Sequence, residues 1–197
     1  MTTFYLIRHA NYDLVGKVYV GRTPGIHLNE QGRRQSEFLA ERLAQKPIQK
    51  IFSSPLERCQ ETAGPLAKKF NLEIKTAEAL TEINFGDWTN KTPQELAPLE
   101  KWRQWTSFRS GSRIPNGDWM MAAQARFVHQ MEEWCDAFPE ETLALISHGD
   151  PIRSAVAYYL GVPLDLFRRI EITPASVSIL SISEQGPKIL CVNDCLA

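Results

Sequence analysis

An α/β domain built on a mainly parallel sheet is the fold this sequence predicts, and three observations carry the prediction. Short apolar runs alternate with longer amphipathic stretches along the whole chain, the pattern of strands joined by helical crossovers. The 197 residues, 43% hydrophobic and 23% charged, suit a single domain, 1–197, whose core needs no staples. Chemically able residues stand where apolar runs stop, and in open sheets of this kind ligands sit beyond the carboxyl ends of the strands.

The elements follow in order. "TFYLI" at 3–7 reads as a strand. Residues 29–45 read as a helix capped by Asn29, with Leu39 and Leu43 four apart. "IQKIFSS" at 48–54 is a second strand. The helix expected over 54–70 has Ser54 as cap, Pro55 in the first position and Glu57 to complete a capping box. Cys59, Ala63, Leu66 and Phe70 form its apolar stripe, and a kink or break is expected near Gly64-Pro65. A strand at 72–76 and helices at 92–105 and 119–137 come next. "TLALIS" at 142–147 is the most buried-looking strand, and a helix from Pro151 to about Leu160 follows it. Glu184-Gln185-Gly186-Pro187 is a turn between two partly alternating runs, so the chain closes on a β-hairpin. Residues 86–118 interrupt the alternation and are expected to form a cap over the pocket.

Bulk properties narrow the function. Lys plus Arg number 22 against 23 Asp plus Glu, a balance unlike that of a nucleic-acid or anionic-membrane binder. No run approaches the 18 apolar residues of a membrane span, and the N-terminus enters a strand at once without a basic leader. Cys59, Cys135, Cys191 and Cys195 are scattered, which points to cytoplasmic thiols and away from a zinc knuckle.

The chemistry gathers at three strand ends. Arg8-His9 follows the first strand, Arg58 lies one turn into the helix after "IFSS", and His148-Gly149 follows "TLALIS". Arginine forks match phosphate oxygens in geometry and charge, and helix N-termini favour anions. Glu82, in "EALTEINFGDW", is a carboxylate near that anion site. Only a raised pKa suits it there, and a raised pKa makes it a general acid.

These residues lie in segments that resemble a known family. "LIRHA", "SSPLERCQETA", "EINFGDW" and "ISHGDPIR" are similar to the four signature segments of the histidine phosphatase superfamily, also called the phosphoglycerate mutase-like family. They occur in the family's order over nearly the whole chain. The resemblance implies a three-layer α/β/α sandwich and a metal-independent phosphatase of small phosphomonoesters, with no cofactor. His9 matches the nucleophile that forms a phosphohistidine. Arg8, Arg58 and His148 match the groups around the phosphoryl oxygens, and Glu82 matches the proton donor. Ala10 stands where relatives commonly carry Gly, Val15 where many carry Asn, and Gly117-Asp118-Trp119 where many carry Gly-Glu-Ser. Asn11, Trp88 and Gly149 are the further candidates for substrate contact.

Three other functions compete. A phosphomutase uses the same phosphohistidine but returns the phosphoryl group to bound product. A metallohydrolase would take His9, His148 and Glu82 as ligands, yet its cation would face Arg8 and Arg58. A binding module would hold a phosphorylated ligand without turnover. The partner in each case is a small phosphorylated metabolite. His27 and His129 read as surface residues, and Trp102, Trp105, Trp119 and Trp134 as packing residues.

Overall fold

A computed structural model of the chain describes residues 1–195. Its strands are β1 (Thr2–Arg8), β2 (Lys50–Ser53), β3 (Ile74–Thr76), β4 (Thr142–Ser147), β5 (Val177–Ser183) and β6 (Gly186–Asp194). Its helices are α1 (Glu30–Leu43), α2 (Glu57–Phe70), α3 (Pro93–Leu96), α4 (Glu100–Ser107), α5 (Met120–Ala137) and α6 (Gly149–Tyr159). The six strands form one sheet in the order β3-β2-β4-β1-β5-β6. The pairs β2–β3, β2–β4 and β1–β4 are parallel, and the closing hairpin adds the antiparallel pairs β1–β5 and β5–β6. The α/β class and the mainly parallel sheet are as the sequence predicts.

Period-2 alternation sorts the strand residues to two faces. Phe4 and Leu6 of β1 with Leu143 and Leu145 of β4 meet Phe127, Met131 and Trp134 of α5 and Ile152 and Val156 of α6. Tyr5, Ile7, Ala144 and Ile146 point the other way, against Leu39 and Leu43 of α1 and Cys59, Ala63 and Leu66 of α2. All six residues of β4 are buried, because helices cover both of its faces. These two layers and the sheet make the α/β/α sandwich.

Three local expectations change. Ser54 does not cap α2: the N-cap is Leu56, with no side-chain bond. The Ser54 hydroxyl turns instead to His148, with Nε2 at 2.8 Å, and Glu57 accepts from the Gly25 N–H at 2.9 Å. Contacts far apart in the chain here outcompete a local cap. Pro65 lies inside α2 and does not break it, since the stripe of Cys59, Ala63 and Leu66 holds both halves against the sheet. The expected helix over 92–105 is two, α3 and α4, because Pro98 cannot continue the first. Asn29 caps α1 as expected, accepting from the Gly32 N–H.

Residues 83–123 join Leu164 and Phe167 in a third apolar cluster with Trp88, Trp102 and Trp105 at its centre. The Trp88 and Trp102 rings stand edge to face at 5.1 Å, and those of Trp88 and Trp105 at 5.4 Å. Gly86 makes the fold-back possible. Its φ is +48°, and a Cβ there would lie 2.1 Å from the Pro115 carbonyl oxygen.

Candidate active site

Sheet register assembles the site. Arg8 pairs with Ser147 across β1–β4, and Ser53 with Ile146 across β2–β4. The residues just beyond the three strand ends, His9, Ser54 and His148, therefore emerge at one level. The His9 N–H still donates to the Ser147 carbonyl (2.8 Å) and the Ser54 N–H to that of Ile146 (2.9 Å), so the backbone stays paired up to the candidate site.

His9 is 2% exposed. Its Nδ1 lies 2.9 Å from the Ala10 carbonyl oxygen, which can only accept, so the ring proton sits on Nδ1 and Nε2 keeps its lone pair. Ala10 is held in turn: its N–H donates to the Thr62 hydroxyl, which donates to the Arg58 carbonyl (2.6 Å). Burial, then the charges of Arg8 and Arg58, hold the His9 pKa well below the usual histidine value, so the ring is neutral.

Arg58 is buried in the first turn of α2. Nη2 donates to the Gly21 carbonyl at 2.8 Å, while Nε and Nη1 have no hydrogen-bond partner among the described residues. Arg8 is anchored by Nη1 to the Ile172 carbonyl (2.6 Å), and its Nε also lacks a partner among the described residues. Two guanidiniums with unspent donors beside a neutral imidazole form an anion cradle. Gly149, the first residue of α6, keeps the cradle open: a Cβ there would stand 3.2 Å from Arg8 Nε.

His148 is fully buried, with its ring 5.2 Å from that of His9 and tilted by 60°. Burial, then Arg58, His9 and Arg8, push its pKa well down. Glu82 Oε2 lies 3.8 Å from His148 Nδ1, and Glu82 Oε1 accepts from the Ile83 N–H. Burial, then the nearby Asp150 carboxylate, raise the Glu82 pKa to about 7 against the opposing pull of Arg58. That is the working range of a general acid and base.

The structure thus brings His9, Arg8, Arg58, Glu82, His148 and Gly149 together. It does not bring Trp88, which is buried in the third apolar cluster. Asn11 is not in the cavity wall either; its N–H donates to Gln35 of α1. A cavity of about 260 Å³ opens above the cradle, with Arg8, Glu82 and Gly149 in its wall. Tyr12 also lines it, 5.4 Å from the His9 ring and 5.6 Å below the Arg58 guanidinium. Sequence reasoning missed Tyr12, Ser54, Thr62 and Arg22. Arg22 ties the Glu82 carbonyl (2.7 Å) to the Asp118 carboxylate (2.7 Å), which in turn accepts from the Asn84 N–H. Tyr12 could have been found, since it lies three residues past His9; the others are joined to the site only by the fold. His27 pairs with Glu61 and His129 with Glu133, both away from the cavity.

Known proteins share this chain's sequence pattern and fold. The profile of the histidine phosphatase superfamily (branch 1) matches residues 4–195. Phosphoserine phosphatase 1 of Hydrogenobacter thermophilus is 29% identical over 98% of this chain and 92% of its own. A probable phosphoglycerate mutase of Yersinia pestis is 30% identical over 93% and 86%. Among solved structures, a mycobacterial glucosyl-3-phosphoglycerate phosphatase complexed with VO3 superposes with a TM-score of 0.87 at 25% identity, over 98% of both chains. Bacillus stearothermophilus YhfR shares the fold with a TM-score of 0.92 at 24% identity, over 100% and 98%. A chain matched from its first strand to its last, with its site gathered at one sheet edge, belongs to the histidine phosphatase superfamily.

Proposed function

We propose that the chain is a metal-independent phosphatase that hydrolyses small phosphomonoesters through a phosphohistidine on His9. The observation that carries the reading is the His9 tautomer: an Nδ1–H bound to a carbonyl leaves a neutral Nε2 between two guanidiniums with free donors. Nε2 attacks phosphorus in line, the ester P–O bond breaks, and Glu82 gives its proton to the leaving oxygen. Glu82, now a carboxylate, takes a proton from water, whose oxygen attacks phosphorus. The P–N bond breaks, and inorganic phosphate leaves behind a neutral His9. Arg8, Arg58 and His148 hold the phosphoryl oxygens throughout, since phosphoryl transfer rests on positioning and charge stabilisation.

Relatives named for phosphoserine and for glucosyl-3-phosphoglycerate support a small phosphorylated substrate, as does the modest cavity. In this reading residues 86–118 back the cavity wall, since their tryptophans pack against Phe85 and Tyr19, which line it. No described helix is long and apolar enough to cross a membrane. The four cysteines are unpaired, which supports a cytoplasmic setting.

A panel of phosphomonoesters, assayed for phosphate release with and without EDTA, tests the reading. Release unaffected by chelator, acid-labile phosphate trapped on the wild type, and activity lost in His9→Ala are expected. Undiminished turnover in His9→Ala would falsify it. The relative named as a mutase makes isomerisation the second reading, and phosphoglycerate isomerised without free phosphate would establish it instead.

A further inference from the structure

One dipeptide, Gly21-Arg22, bridges the two halves of the site. The Gly21 carbonyl accepts from Arg58 Nη2 at 2.8 Å, on the side of the anion cradle. Arg22 Nε donates to the carbonyl of Glu82 at 2.7 Å, on the side of the carboxyl group. Gly21 lets the two segments approach. Its φ is +54°, and a Cβ there would lie 3.2 Å from the Ile83 carbonyl oxygen.

Glu82 depends on such a hold. Residues 81–85 lie outside any helix or strand. Among the described residues, the one hydrogen bond to the Glu82 carboxylate comes from the N–H of Ile83, next in the chain. The direction of that carboxylate is therefore set by where its own backbone is fixed. Besides the Glu82 carbonyl, Arg22 takes Asp118, with Nη2 to Oδ2 at 2.7 Å, and the same oxygen accepts from the Asn84 N–H at 3.0 Å. The Asp118 N–H returns a bond to the Asn84 carbonyl at 2.9 Å. Arg126 of α5 steadies the Thr81 carbonyl, whereas the Gly21-Arg22 dipeptide spans from Arg58 to Glu82. Stability alone does not account for the arrangement. The Arg22 and Asp118 side chains are 37% and 25% exposed, and an ion pair so placed contributes little.

We propose that Arg22 is a positioning residue, which fixes the Glu82 carboxyl against the anion cradle through the Gly21 carbonyl on one side and Asp118 on the other. The inference rests on the phosphatase reading and adds Arg22 and Asp118 to it. As His9 Nε2 bonds to phosphorus and the ester P–O bond breaks, the leaving oxygen takes the Glu82 proton. A carboxyl displaced by about 1 Å loses that transfer while the cradle still holds the phosphoryl group. An alkoxide leaves only with a proton, whereas p-nitrophenolate, a weak base, leaves without one. The cost of losing Arg22 therefore depends on the leaving group. An arginine that only braced the fold would affect every ester alike.

The experiment compares kcat/KM, which covers the chemistry up to loss of the leaving group, for benzyl phosphate and p-nitrophenyl phosphate. In Arg22→Met the benzyl ester is expected to lose about 10²-fold, the cost of a misplaced group. The p-nitrophenyl ester is expected to lose no more than about fivefold, the worth of an exposed ion pair. Added to Glu82→Gln, Arg22→Met is expected to cause no further loss on the benzyl ester, because it acts through a carboxyl already removed. If Arg22→Met does not fold, Asp118→Asn carries the same two expectations, since it keeps an acceptor for the Asn84 N–H and removes the charge opposite Arg22. Equal losses on both esters, or a fully additive loss in the double variant, overturn the assignment and leave the phosphatase reading intact. No phosphate released by the wild type from either ester, or from any other on the panel, overturns both.

Discussion

Two groups in the site have their proton positions set by neighbours, and each sets a prediction. In the proposed reaction Glu82, with a pKa of about 7, donates in the first half, so kcat/KM is expected to decline as pH rises above about 7. Glu82→Gln should lower kcat by about 10²–10⁴-fold and remove that alkaline limb; a pH profile of the variant with the limb intact would assign it to another group. His148 is oriented by Ser54, whose oxygen accepts weakly from the Leu56 N–H at 3.4 Å and whose hydrogen is free to meet Nε2. That leaves the His148 Nδ1–H facing Glu82 and the cradle. Ser54 is thus a positioning residue. Ser54→Ala is expected to cut kcat by about tenfold, in line with the loss of an orienting partner, with KM little changed, and Ser54→Thr should restore much of the loss. Equal losses in both variants would point to packing instead.

At the scale of the element, α2 carries both a benefit and a defect. Its first turn delivers Arg58, and its inner stripe of Cys59, Ala63 and Leu66 fixes it to the sheet. Pro65, in its middle, has no N–H for the Glu61 carbonyl one turn back. Pro65→Ala restores that donor but frees the unfolded chain, so a net gain of about 1–2 kcal/mol is expected. Thermal melts would show a rise in Tm with kcat unaltered; a fall would mean the helix is bent there to fit α1. The Glu82 segment shows the opposite economy. It has no regular structure of its own and is clamped by Arg22 to Asp118 on one side and by Arg126, which donates to the Thr81 carbonyl at 2.6 Å, on the other. Gly86→Ala drives a Cβ into the Pro115 carbonyl at a positive φ. It should cost about 1–3 kcal/mol in urea unfolding, the range for backbone strain at such a position.

For the whole molecule, the site makes stability depend on pH in two opposed ways. His9 and His148 have folded pKa values below the 6.5 of the unfolded chain. Between those values the unfolded state binds more protons, so their contribution is present above pH 6.5 and is lost as pH falls below it. Glu82 is raised from 4.5 to about 7, so its contribution is present below pH 4.5 and is lost as pH rises through about 7. Chemical denaturation across pH 4.5–8 is therefore expected to show stability falling as pH drops below 6.5, less steeply in His148→Gln and more steeply in Glu82→Gln, which lacks the opposing contribution. Identical profiles for wild type and both variants would mean that these groups are not buried as found.

The sequence by itself determined the α/β class and the groups at the strand ends, because period-2 strands and polar residues where apolar runs stop are local patterns with one economical arrangement. Arg8-His9, Arg58 and His148 were legible for that reason, as were the cap at Asn29 and the closing hairpin, whereas the three-layer sandwich and the part given to Glu82 came from the resemblance of its signature segments to a family. Only the tertiary structure decided where the adaptable side chains went. Ser54 left a helix cap for an imidazole, Trp88 went under the wall and not into the cavity, and Arg22 turned to the Glu82 carbonyl. Those outcomes depend on contacts between residues tens of positions apart, whose strength comes from burial and geometry that no local spacing records.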